Sequence, residues 1–128
     1  MPADSIPIQW TLRGVVARLP DEIDATNSEL VRGALREVLD SAPAVLVADM
    51  TLTTYCCSEG MQALVDVHQA AQRAGIPLRI AGLHPLVRRM LMLTGINELL
   101  DVYPSIDAAL ALSTLGAASA GTEAGGQG

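Results

Sequence analysis

Ala44-Val45-Leu46-Val47-Ala48-Asp49-Met50 is an almost unbroken apolar run, and nothing in it alternates with polar residues. A strand with one wet face alternates, so this run reads as a central strand covered on both faces. Covering both faces of a strand takes helices above and below the sheet, which points to an α/β fold with parallel pairing. The segments on either side agree. A helix is expected from about Ser28 to Leu39, ahead of a break at Ser41-Ala42-Pro43. After the run a second helix is expected from Ser58 to Gly75, a glycine suited to the C-terminal turn, and then a strand over 76–81. Strand, helix and strand in this order make a parallel pair with a right-handed crossover.

The first helix carries a capping-box pattern, Thr26-Asn27-Ser28-Glu29, with Thr26 as N-cap, and an expected apolar stripe of Leu30, Ala34, Leu35, Val38 and Leu39. Upstream, residues 6–12 alternate apolar and polar, and Val15 to Leu19 follows Arg13-Gly14, the pattern of a short hairpin. Pro7 places its first strand on an edge. Downstream, His84-Pro85 opens a third helix that Gly95 closes, 99–103 forms a last short strand, and Ser105 caps a terminal helix to about Leu112. From Ser113 the chain is Ala, Gly, Ser and Thr-rich without apolar periodicity, so 113–128 is expected to be a disordered tail on one domain spanning 1–112.

Composition removes several classes of function. The 128 residues carry a net charge of −6 and no lysine, which excludes Schiff-base chemistry and a lysine-bearing phosphate loop. Nucleic acid is not an expected partner, because phosphate neutralisation needs a basic face, and Arg88-Arg89 is the only adjacent basic pair. No apolar stretch is long enough for a membrane helix, and the N-terminus has no basic and apolar leader, so a soluble cytoplasmic protein is expected. Adjacent Cys56 and Cys57 cannot staple distant segments.

Side chains that could carry chemistry are few. Cys57 precedes a helix, where a thiol is activated, yet free cysteine more commonly packs as a small hydrophobe and no second pair stands at metal spacing. His68 falls at the core edge of the second helix, and His84 is placed to cap the third. The chain has no Ser-His-Asp pattern, phosphate loop or paired-carboxylate motif, so neither an enzyme nor a cofactor is expected. Ser58 at a helix start has two readings. It can cap free amides, or it can carry a phosphate facing those amides and the positive end of the helix dipole. A phosphoryl group adds about −1.5 to −2 charge, enough to reorganise a small interface.

Several segments, in order, resemble the STAS family, the domain shared by anti-sigma factor antagonists and sulfate transporters. They are Glu22-Ile23-Asp24-Ala25-Thr26-Asn27, the strand ending in Asp49, and Cys57-Ser58-Glu59-Gly60-Met61-Gln62-Ala63-Leu64. Ala74-Gly75, Leu93-Thr94-Gly95-Ile96 and Tyr103-Pro104-Ser105-Ile106-Asp107-Ala108-Ala109-Leu110 complete the set. The resemblance spans roughly residues 6–112. It implies a mixed sheet of four to five strands with about four helices, and an antagonist that binds an anti-sigma factor of kinase-type ATP-binding fold and so frees a sigma factor. ATP and Mg²⁺ belong to that partner. By the same resemblance Ser58 falls on the serine that the kinase phosphorylates, and Asp24, Asn27, Cys57, Ser58, Glu59, Gly60 and Met61 form the partner-binding set. Cys57 stands where the family usually has an aspartate, and Glu59 puts a fixed charge beside the serine, as though the site were partly phosphorylated already. The second reading is a STAS scaffold or sensor that is never phosphorylated and binds a protein or a small anion at the same helix start.

Overall fold

The computed structural model describes residues 6–111. Its main sheet has five strands: β1 (Ile8–Trp10), β2 (Val15–Arg18), β4 (Leu46–Asp49), β6 (Leu78–Ala81) and β7 (Asp101–Tyr103), in the order β1-β2-β4-β6-β7. β1 runs antiparallel to β2 on the edge, as Pro7 requires, and every other pairing in this sheet is parallel. The helices are α1 (Ser28–Asp40), α2 (Ser58–Ala74), α3 (Pro85–Thr94) and α4 (106–111), with a 3₁₀ turn at Ile96–Glu98. β3 (Glu22–Ile23) and β5 (Tyr55–Cys56) make a separate two-stranded parallel ribbon that sequence periodicity did not anticipate.

The apolar run is the middle of the sheet. All four residues of β4 are buried, and the apolar side chains of Leu46, Val47 and Ala48 enter the two cores in alternation. Leu46 and Ala48 join Val31, Leu35, Leu64, Val67, Val87 and Leu91 under α1, α2 and α3. Val45 and Val47 turn to the other face and pack with Ala109 and Leu110 of α4. The period-two geometry of a strand thus divides one apolar segment between two layers. Arg79 of β6 holds the smaller layer: a guanidinium nitrogen donates to the Ala109 carbonyl at 2.8 Å, and the group lies 5.4 Å from the centre of the Tyr103 ring.

Helix boundaries follow local chemistry. Gly75 ends α2 at φ 73, in the left-handed region where glycine carries no Cβ penalty. His84 caps α3 through Nδ1, which accepts from the Leu86 amide at 3.1 Å, with Pro85 at the first helical position. Ser105 Oγ accepts from the Ala108 amide at 3.0 Å, so α4 starts as expected.

Two expectations for α1 are corrected. Thr26 is not its cap: the Thr26 hydroxyl donates to Asp24, Asn27 holds the N-cap position without a side-chain cap bond, and Glu29 turns to Arg32. An Asx-type turn built on Asp24 has taken the threonine that a capping box needs. The buried face of α1 is Ser28, Val31, Leu35, Val38 and Leu39, so the helix is rotated to expose Leu30 and half-bury Ala34. Arg32, on the flank, donates to Asp66 of α2 at 3.0 and 3.1 Å and ties the two helices together. The tail expected from residue 113 lies outside the described residues.

Candidate functional site

The residues singled out around Ser58 and Asp24 lie more than thirty positions apart in sequence, and the β3–β5 ribbon brings them together. Four backbone or side-chain bonds lace the two segments step by step. Leu19 N–H donates to the Asp49 carbonyl at 2.9 Å, and the buried Thr53 hydroxyl donates to the Pro20 carbonyl at 2.7 Å. Thr54 N–H donates to the Asp21 carbonyl at 2.8 Å, and Cys57 N–H to the Ile23 carbonyl at 2.9 Å. With Ile23 opposite Cys56 in the ribbon, the next residue on each strand, Asp24 and Cys57, leaves the same end side by side.

Asp24 and Asn27 build their turn from their own side chains. Asp24 accepts from the Thr26 amide at 2.9 Å and from its hydroxyl. Asn27 accepts from the Asp24 amide at 2.9 Å and donates to the Glu22 carbonyl at 2.8 Å. The hydrogen bonds from Thr26, above all its hydroxyl, hold the Asp24 carboxyl below the ordinary aspartate value. The turn therefore presents an ionised carboxylate in a fixed orientation.

At the start of α2, Cys57 holds the N-cap position with extended backbone and makes no side-chain cap bond. Ser58 is the first helical residue. Its exposed hydroxyl does not cap the helix; it donates to Glu59 Oε1 at 3.3 Å, and the Cys57 thiol donates to the same oxygen at 3.2 Å. The reading of Ser58 as an N-cap is therefore corrected, because the cap position falls one residue earlier. Glu59 is held below the ordinary glutamate value, chiefly by the bond from Cys57. Its carboxylate thus collects the two neighbouring side-chain donors of the loop.

Gly60 and Met61 sit beneath this surface and not on it. Gly60 is buried where a Cβ would lie 2.6 Å from Ile23 Cγ2 and 2.8 Å from Cys56 Sγ, so the missing side chain is what lets α2 approach the ribbon. Met61 is only 6% exposed and belongs to the main core, with the Thr94 hydroxyl 3.9 Å from its sulfur. In the free chain both residues are buried, and their packing shapes the surface from below. Cys56 is fully buried, and that burial pushes its thiol up to about 12, so it stays a neutral packing group.

Asp49, which ends β4, accepts from the Thr51 amide at 2.9 Å and from its hydroxyl, and faces Arg18 at 3.8 Å. It braces the turn after the strand. Among the described residues no three His, Cys, Asp or Glu side chains are grouped to hold a metal ion, and no helix is long and apolar enough to cross a membrane. Sequence reasoning missed the ribbon and Tyr55, which is 46% exposed next to the site. Two-residue strands carry no period, and the only local signal was the short apolar-containing pair on each side.

The STAS domain profile matches residues 6–109. A candidate anti-anti-sigma factor of Mycobacterium tuberculosis is 35% identical over 101 residues, covering 76% of this chain and 67% of that one. Among solved structures, an anti-sigma factor antagonist from Mycobacterium paratuberculosis superposes with TM-score 0.76 at 24% identity, over 87% of this chain and 96% of that one. The Bacillus cell fate determinant SpoIIAA in its phosphorylated form gives TM-score 0.62 at 15% identity, over 82% and 96%. The chain belongs to the STAS domain family.

Proposed function

We propose that the chain is an anti-sigma factor antagonist. It binds an anti-sigma factor of kinase-type ATP-binding fold in the cytoplasm, and phosphorylation of Ser58 by that partner ends the complex and returns the partner to its sigma factor. The chain acts by binding and supplies no catalytic group or cofactor of its own.

The observation that carries this reading is the state of Ser58. Its hydroxyl is exposed at the first position of a 17-residue helix, is not used as a cap, and stands beside the ordered Asp24–Asn27 turn. A helix start leaves its first amides without intrahelical partners, and these together with the dipole accommodate a phosphoryl group on that oxygen. The antagonist assignment of the 35% identical relative gives the same direction. The fold neighbour SpoIIAA, known in a phosphorylated form, supplies a precedent for the modification within this architecture.

Charge does the switching. Unmodified, the end of the molecule already holds the Asp24 and Glu59 carboxylates, both kept ionised by hydrogen bonds. A phosphoryl group on Ser58 meets Glu59 at once, since Glu59 Oε1 now accepts from that same hydroxyl. The bond is lost and like charges are left in contact, which moves Glu59 and changes what a partner meets. Titrating a kinase-type anti-sigma factor with the unmodified chain and with Ser58→Asp tests this step. The unmodified chain is expected to bind at least about tenfold more tightly. Equal affinities would favour the scaffold reading, in which the same surface binds without being switched.

A further inference from the structure

The outer face of α3 is built unlike the rest of this acidic molecule. Of its ten residues only Val87 and Leu91 are buried. Leu86, Met92 and Leu93 are 60, 59 and 78% exposed, and Arg88 and Arg89 stand among them. The helix has no acidic residue, and neither arginine has an ion-pair partner among the described residues. Arg88, Arg89, Met92 and Leu93, with Pro85, line a surface hollow of about 490 Å³. Exposed apolar side chains scattered singly need no explanation, but several on one short helix around two unpaired cations form a patch.

The helix packs against the elements that carry the site at Ser58. Thr94, at the end of α3, reaches Met61 one turn into α2, and α3 packs along β5, where Tyr55 is exposed. Resting on the reading of that end as protein-binding, we propose that the face of α3 is a second anchor in the same interface and receives an acidic amphipathic helix of the partner. Its apolar side chains would cover Leu86, Met92 and Leu93, and its carboxylates would pair with Arg88 and Arg89. The chain's own C-terminal segment is a poor occupant. Residues 113–128 offer a single leucine, Leu115, and a single acid, Glu123.

The test uses the full chain and a fluorescein-labelled synthetic peptide of about 18 residues, long enough to hold a helix, with leucines at i, i+3, i+4 and i+7 and glutamates between them. Fluorescence anisotropy at low ionic strength is expected to show saturable binding. Affinity should fall about tenfold or more in Arg88→Glu/Arg89→Glu and in Leu93→Asp, and vanish for a peptide with lysine in place of glutamate. All three positions are exposed, and circular dichroism of each variant checks that it folds. The proposal is overturned if the folded wild type does not bind the peptide or if the double variant binds it equally. It is also overturned if sedimentation of the chain alone shows self-association that Leu93→Asp abolishes, because a second copy then covers the face. Neither the kinase nor ATP enters the assay, so its failure leaves the Ser58 reading standing, and the converse also holds.

Discussion

A Cβ placed on Gly60 meets Ile23 and Cys56 at 2.6 and 2.8 Å, and both neighbours belong to the ribbon that holds the site together. Gly60→Ala is therefore expected to push α2 away from β3 and β5 and to destabilise the fold by about 1–3 kcal/mol, as overpacking does. Urea unfolding measures it, and an unchanged midpoint would mean that the approach is not tight. Asp24 gives a pH-dependent prediction. Its carboxyl is held below the ordinary 3.8 by hydrogen bonds from Thr26, so the folded state favours the ionised form. The contribution is full above 3.8 and is lost as pH falls through the lowered folded value. Replacing Asp24 by asparagine, which cannot titrate, should flatten the decline of the urea midpoint between about pH 5 and pH 3. A decline as steep as in the wild type would assign the acid sensitivity to other carboxylates. Glu59 acts in the same sense, so its share remains in the Asp24→Asn variant.

At the scale of elements, β4 carries the argument from sequence to fold. Leu46 is fully buried between α1, α2 and the sheet, and Leu46→Ala is expected to cost about 2–5 kcal/mol through lost burial and a residual cavity. Denaturant titration reads this directly, and a loss below about 1 kcal/mol would place that side chain outside a close-packed core. Long periodic elements were legible in the sequence because their signals are redundant: an unalternating run for β4, a glycine after α2, a proline and a histidine before α3. Short-range competition was harder to read. Thr26-x-x-Glu29 satisfies the capping-box pattern, but Asp24 two residues earlier offers the threonine a nearer acceptor, and the local turn won. Leu35, Val38 and Leu39 keep the expected stripe, but in the first turn the buried positions are Ser28 and Val31, and Leu30 is exposed.

In the whole molecule the distribution of chemistry is uneven, and that unevenness directs the functional account. One face of the sheet is closed by α1, α2 and α3, the other by α4, and the ribbon of β3 and β5, a separate sheet, joins the first layer through Ile23 and Cys56 with Ser58 and Asp24 at its end. The order of motifs along the chain located Ser58 and Asp24 as candidates. Their juxtaposition was implied by the family resemblance alone; no local pattern encodes it, since it depends on a pairing of two residues with two. The packing of Gly60 and Met61 beneath that surface likewise rests on burial that no local pattern encodes. The exposed, uncapped hydroxyl of Ser58 is the point on which the account depends, and it can be tested directly. The chain is incubated with a kinase-type anti-sigma factor, ATP and Mg²⁺, and its intact mass is recorded beside that of Ser58→Ala. A gain of one phosphoryl group that the variant lacks is the predicted result; no gain, or the same gain in the variant, would contradict it.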